Sequence, residues 1–254
     1  MEHNCLNCNA TVNGKFCANC GQKTDTHRIT IKHFLLHDLL HGMWHMDRGI
    51  LFTVKETLVR PGRAALDYIG GKRIRYYNIF YLCLLVIGLH IVLVHVYDYI
   101  HPERLSYNEN NVEVTDFFTR YMKVLLLGIV PIVAIDAWLM FPKMKLNLAE
   151  HFILSGINLL GMLLVGLFFV FFNFLNELGS KVSLFIGWME VLSFFALFIY
   201  PAWTYGNAAI KYHTFLGTMW RLALFLLVIF VEMMLLLMGI FYLVTKDTAV
   251  SFSL

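Results

Sequence analysis

The sequence predicts a mainly α-helical, polytopic membrane protein with a small metal-stapled hairpin at its N-terminus. Three observations carry that reading. Hydrophobic residues make up 59% of the 254-residue chain and charged residues 15%, with a mean hydropathy of +0.65, far from the soluble norm. Apolar runs recur after residue 78, each able to supply the about 20 helical residues that a hydrocarbon core of roughly 30 Å requires. Four of the five cysteines fall at the very start, as two Cys-x-x-Cys pairs. A soluble domain cannot hide this much apolar surface, whereas lipid solvates it.

Residues 1–24 read as a zinc ribbon. Cys5 and Cys8, then Cys17 and Cys20, have the spacing that lets one backbone turn present two sulfurs to a tetrahedral ion. Between the pairs, Asn13-Gly14 predicts a two-residue hairpin turn with φ > 0 at both positions. Four thiolates close the coordination shell and leave no place for a catalytic water, so the expected Zn2+ is structural. Iron is the alternative metal. Lys15 and Lys23 are too few for a phosphate-binding face, so no nucleic-acid partner is expected. Nothing resembling a secretory leader opens the sequence, which places the thiols in a reducing cytoplasm and favours metal over disulfides.

Residues 25–77 read as cytoplasmic amphipathic and juxtamembrane helices. Gln22 to Arg28 is a polar linker, and Thr30 suits the cap of a helix from Ile31 to His45. Leu35, Leu36, Leu39, Leu40 and Met43 share one face of it. His33, His37, His41 and His45 follow at four-residue steps on the other. Neighbouring histidines at that step can chelate an ion, and His37-Asp38-Leu39-Leu40-His41 echoes a metalloprotease pattern with a shorter acid. The step drifts by about 40° per turn against the 3.6-residue period, so the four do not converge on one metal. Three readings stay open: a membrane-surface helix, a second metal or redox-cofactor site on His33, His37, Asp38, His41 and His45, or a pH-responsive surface. Next come a helix over Gly49–Leu58, a break at Arg60-Pro61-Gly62-Arg63, and a short helix over Ala64–Ile69 that stops at Gly70-Gly71. Lys72, Arg73 and Arg75, with Tyr76 and Tyr77, form a basic-aromatic collar. It either anchors topology or binds anionic headgroups at about 1 kcal/mol per cation.

Residues 78–254 read as a transmembrane domain of about five spans: Asn78–Val96, Tyr121–Phe141, Phe152–Leu175, Leu184–Trp203 and Met219–Val244. Eleven of the twenty Lys and Arg precede residue 76, while the first loop between spans is acidic. The positive-inside rule then puts the N-terminus in the cytoplasm and the C-terminus outside a bacterial inner membrane. His90, Asp136, Glu190 and Glu232 interrupt apolar spans, where an ionised group is expensive unless paired or hydrated. Asp136 and Glu190 are the expected pair, with a histidine as third member. Cys83 reads as a small apolar filler.

No phosphate loop, nucleophile elbow or calcium loop is present. The leading reading is therefore non-enzymatic: the ribbon and amphipathic helices form a cytoplasmic docking or membrane-sensing platform. Its partners would be the bilayer, anionic lipids, and another protein or a second copy of the chain. One alternative is a small transporter or channel using the intramembrane carboxylates. Another is a membrane metalloenzyme using the histidine ladder.

The order of motifs resembles a family of uncharacterised bacterial membrane proteins, common in Bacteroidota, that join a zinc ribbon to a small helical membrane domain. The resemblance rests on Phe16-Cys17-x-x-Cys20-Gly21-Gln22-Lys23, His33-Phe34-Leu35-x-His37-Asp38 and Arg60-Pro61-Gly62. It continues through Tyr68-Ile69-x-Gly71-Lys72-Arg73-x-Arg75-Tyr76-Tyr77-Asn78. Ile79 departs from it, since a proline is expected there. The resemblance covers roughly residues 5–80 and implies architecture and inner-membrane location, with nothing on mechanism.

Overall fold

A chain too short to bury a core at its start uses turns and backbone pairing instead. In the computed structural model, which describes residues 3–24, 28–30, 49–100, 128–177 and 183–251, β1 (His3–Asn4) pairs antiparallel with β2 (Thr11–Val12), His3 opposite Val12. The histidine ladder and Asp38 lie outside the described residues.

Two short helices follow. Helix α1 (Gly49–Val59) matches the expected span, whereas α2 (Pro61–Ile69) begins three residues earlier than its sequence suggests. Proline suits the first helical turn, where its missing N–H has no intrahelical acceptor. Gly62 is helical and is not a turn. A Cβ there would strike the backbone of Thr204 and Ala208, so its bareness lets two helices touch. Asn207 Oδ1 accepts the Arg63 N–H at 2.9 Å and so caps α2.

Helix α3 (Ile79–Ile100) opens the apolar part, followed by α4 (Gly128–Met140), a single 3-10 turn at Pro142–Met144, and three long helices. These are α5 (Leu148–Glu177), α6 (Ser183–Ala209) and α7 (Phe215–Ser251). Among the described residues, four helices are long and apolar enough to cross a membrane, over Ile79–Tyr97, Leu148–Leu175, Leu184–Ala209 and Phe215–Gly239. Helix α4 is the described part of the expected second span.

Helix α5 is the spine. Of its apolar window 61% is buried, against 11% for α7. Ile153, Leu154, Ile157 and Leu160 are buried at helical spacing, and Gly156 and Gly161 admit neighbours. Phe80 of α3 lies at Gly156, and the Tyr200 ring of α6 occupies the place of a Gly161 side chain. The start of α5 is a reciprocal cap. Asn147 Oδ1 accepts the Glu150 N–H at 2.9 Å, while Glu150 Oε2 accepts the Asn147 N–H at 2.8 Å. Arg28 forks onto both Glu150 oxygens at 2.7 Å, and Ile29 behind it is 1% exposed in the main core.

Candidate metal centre

The two cysteine pairs fold as near-copies. In the first, the Cys5 N–H donates to Ala10 O and the Asn9 N–H to Cys5 O. In the second, the Cys17 N–H donates to Gln22 O and the Gly21 N–H to Cys17 O. Each needs one left-handed residue just after its second cysteine, supplied by Asn9 (φ 63°) and Gly21 (φ 73°), the residue types that tolerate it best. The strand partners flank these turns: β1 and β2 around the first, and the Phe16–Lys23 bridge around the second. The expected Asn13-Gly14 hairpin turn is therefore absent. The ligand-bearing turns are themselves the hairpin tips, and Asn13-Gly14 joins one tip to the other with φ below zero at both residues.

All four sulfurs lie within 4.8 Å of one another, with Cys5–Cys20 at 3.6 Å and Cys8–Cys17 at 3.5 Å. Tetrahedral thiolates at a metal–sulfur distance of 2.3 Å sit about 3.8 Å apart, so the four cysteines can hold a metal ion. Neighbouring hydrogen-bond donors prepare two of them for it. Hydrogen bonding to the Ala10 backbone and then the Asn19 side chain pushes the Cys8 thiol down to about 6. The Asn7 side chain, followed by the Gln22 backbone, lowers Cys20 as well. A thiolate is the form a metal takes, so these donors favour binding at Cys8 and Cys20. At Cys17 the Cys20 backbone bond is outweighed by burial and the adjacent Cys8 and Cys20 thiols, which push the thiol up to about 11.

The module is seated on the entry to α3. Gln22 is no solvent linker: it is 5% exposed, and its Nε2 donates to Gly71 O at 2.7 Å. Arg75 reaches Asn7 inside the first pair, donating from Nε to Oδ1 at 2.8 Å and from Nη2 to the carbonyl at 3.1 Å. Gly71 has φ 101°, a conformation that favours glycine, and Leu6 lies where its side chain would be. The collar is thus occupied within the chain. Lys72 donates to Asp67 at 2.7 Å, the Arg73 guanidinium lies 6.0 Å from the Tyr68 ring centre, and Arg75 holds the module.

Helix α1 ties this seat to the bundle through polar atoms. It buries Thr53, Glu56 and Thr57 while Leu51 is 82% exposed. Thr53 Oγ1 accepts the Tyr77 N–H at 2.8 Å, Glu56 pairs with Arg60, and Thr57 O accepts the Tyr200 hydroxyl at 2.6 Å.

Of the intramembrane candidates, His90 bonds Val86 O in its own helix and lies beside Gly166. Asp136 meets Glu232 of α7, not the expected Glu190. Cys83 is buried with its sulfur 3.7 Å from Gly156 O, in keeping with a filler. Sequence reasoning missed Asn7, Gln22, Arg28, Glu150, Tyr200 and Tyr205. For Glu150 the Asn147-x-x-Glu150 capping spacing was a readable signal. For the others no local pattern exists.

These features define a helical, membrane-type protein with a four-cysteine site that can hold a metal ion. Residues 47–87, spanning α1, α2, the collar and the start of α3, match the family model described as "Protein of unknown function (DUF3667)". No curated protein and no solved structure matches the chain.

Proposed function

We propose that this protein is a non-enzymatic inner-membrane platform whose cysteine module carries a structural Zn2+ and faces the cytoplasm. One observation carries the reading: both cysteine turns bond directly to residues 71–75, three residues short of the first apolar helix. A closed thiolate shell suits a structural ion, and apparent zinc affinities of about 10–16 kcal/mol are typical of such sites. In this reading the metal holds the module shut on the collar. A protein partner docks on the module's outer side, where Phe16 is 62% exposed. The outward Leu51 and Val59 of α1 meet the lipid surface, so α1 reports on membrane and module together.

Metal analysis and limited trypsin digestion of the full chain in lipid nanodiscs test this. We expect one zinc per chain, lost in Cys17→Ser and unchanged in His37→Ala combined with His41→Ala. Cleavage after Arg73 and Arg75 should be slow in the zinc form and at least about tenfold faster after chelation, as local opening governs proteolysis. A second metal that disappears with the histidines overturns the reading in favour of a metalloenzyme. So does cleavage indifferent to chelation, because the module would then not hold the collar.

A further inference from the structure

An ionised carboxylate inside a span has no water, so it needs a partner or an ion. Asp136 of α4 and Glu232 of α7 face each other there, with their carboxyl groups within hydrogen-bonding reach. Asp136 is 7% exposed. One oxygen of each, Asp136 Oδ2 and Glu232 Oε2, has no hydrogen-bond partner. From α6 the titratable group near Asp136 is Tyr205, which is fully buried with its hydroxyl 2.7 Å from that of Ser155 on α5. Among the described residues no lysine, arginine or histidine bonds to either carboxyl.

Two carboxylates cannot hydrogen-bond to each other, since both are acceptors. In a low-dielectric site their mutual repulsion is large. The arrangement closes once a proton lies between an oxygen of Asp136 and one of Glu232, as in carboxyl dyads that share a proton. A metal cation fits less well, because hard cations gather about six oxygens or more and this site offers the oxygens of two carboxyl groups.

We propose that Asp136 and Glu232 form a proton-binding pair inside the helical domain. The site is separate from the cysteine module and does not depend on the platform reading. It gives the bundle a group inside the helical domain that can take up a proton and return it.

Infrared spectroscopy of the full chain in phosphatidylcholine nanodiscs tests the pair. Glu190→Gln is the background, to remove the other intramembrane carboxyl. At neutral pH we expect one protonated-carboxyl carbonyl band per chain, shifted by deuterium exchange. It should be absent once Asp136→Asn and Glu232→Gln are added. Absence of that band in the Glu190→Gln chain overturns the proposal with no further variant needed. Persistence of the band after both substitutions also overturns it. Loss of the band when potassium is replaced by sodium at fixed pH makes the ligand a metal cation and overturns it equally.

Discussion

At the end of the bundle that carries the cysteine module, polar side chains reach from one element to another. Tyr200 bonds Thr57, Asn207 caps α2, Ser155 meets Tyr205, and Arg28 clamps Glu150. Further along the helices, His90 and Asn173 turn back on their own helix, to Val86 O and Phe169 O. In lipid no hydrophobic force draws apolar helices together, so small residues and interhelical bonds must do it. The module end has both. Its helices are fixed in register there, and beyond it, apart from the Asp136–Glu232 contact between α4 and α7, they are held by packing, with α7 burying little of its apolar length.

Three substitutions break or sharpen that contrast. Gly62→Leu drives a side chain into the α6 backbone, so we expect a loss of about 3 kcal/mol or failure to assemble, measured by thermal unfolding in detergent. Tyr200→Phe keeps the ring on Gly161 and strands the Thr57 carbonyl. A loss of about 1–2 kcal/mol in the same measurement is expected. Asn173→Leu removes only a bond within α5, and its effect should stay within about 0.5 kcal/mol. If Asn173→Leu costs as much as Tyr200→Phe, the two ends are not built differently.

What the sequence disclosed depended on how local each signal was. The apolar runs of α3, α5, α6 and α7 and the cysteine spacing are contiguous patterns, and they were readable. Gly62 reads in the sequence as part of a break, because the reason for it is the backbone of Thr204 and Ala208, far away in the chain. Asn13-Gly14 has the composition of a hairpin tip, yet the cysteine turns close both hairpins first. Gln22 looked like solvated linker, since nothing local shows that Gly71 O will receive its amide. The carboxyl pairing failed similarly: depth within a span is legible, but which helix lies opposite is not. Asp136 therefore met Glu232 rather than Glu190.

The bond between Gln22 and Gly71 closes a loop of 49 residues that lies wholly before the first apolar helix. Closing it costs about 3 kcal/mol of chain entropy on a logarithmic scale. During synthesis, both halves of that joint exist once Arg75 has been made, before Ile79 begins α3. The Arg28 clamp has no such freedom. Its partner Glu150 comes 122 residues later, after α3 and α4. The N-terminal segment thus carries two fasteners with different timing. One is available before any helix enters the bilayer, and the other only after the spine of the bundle has arrived.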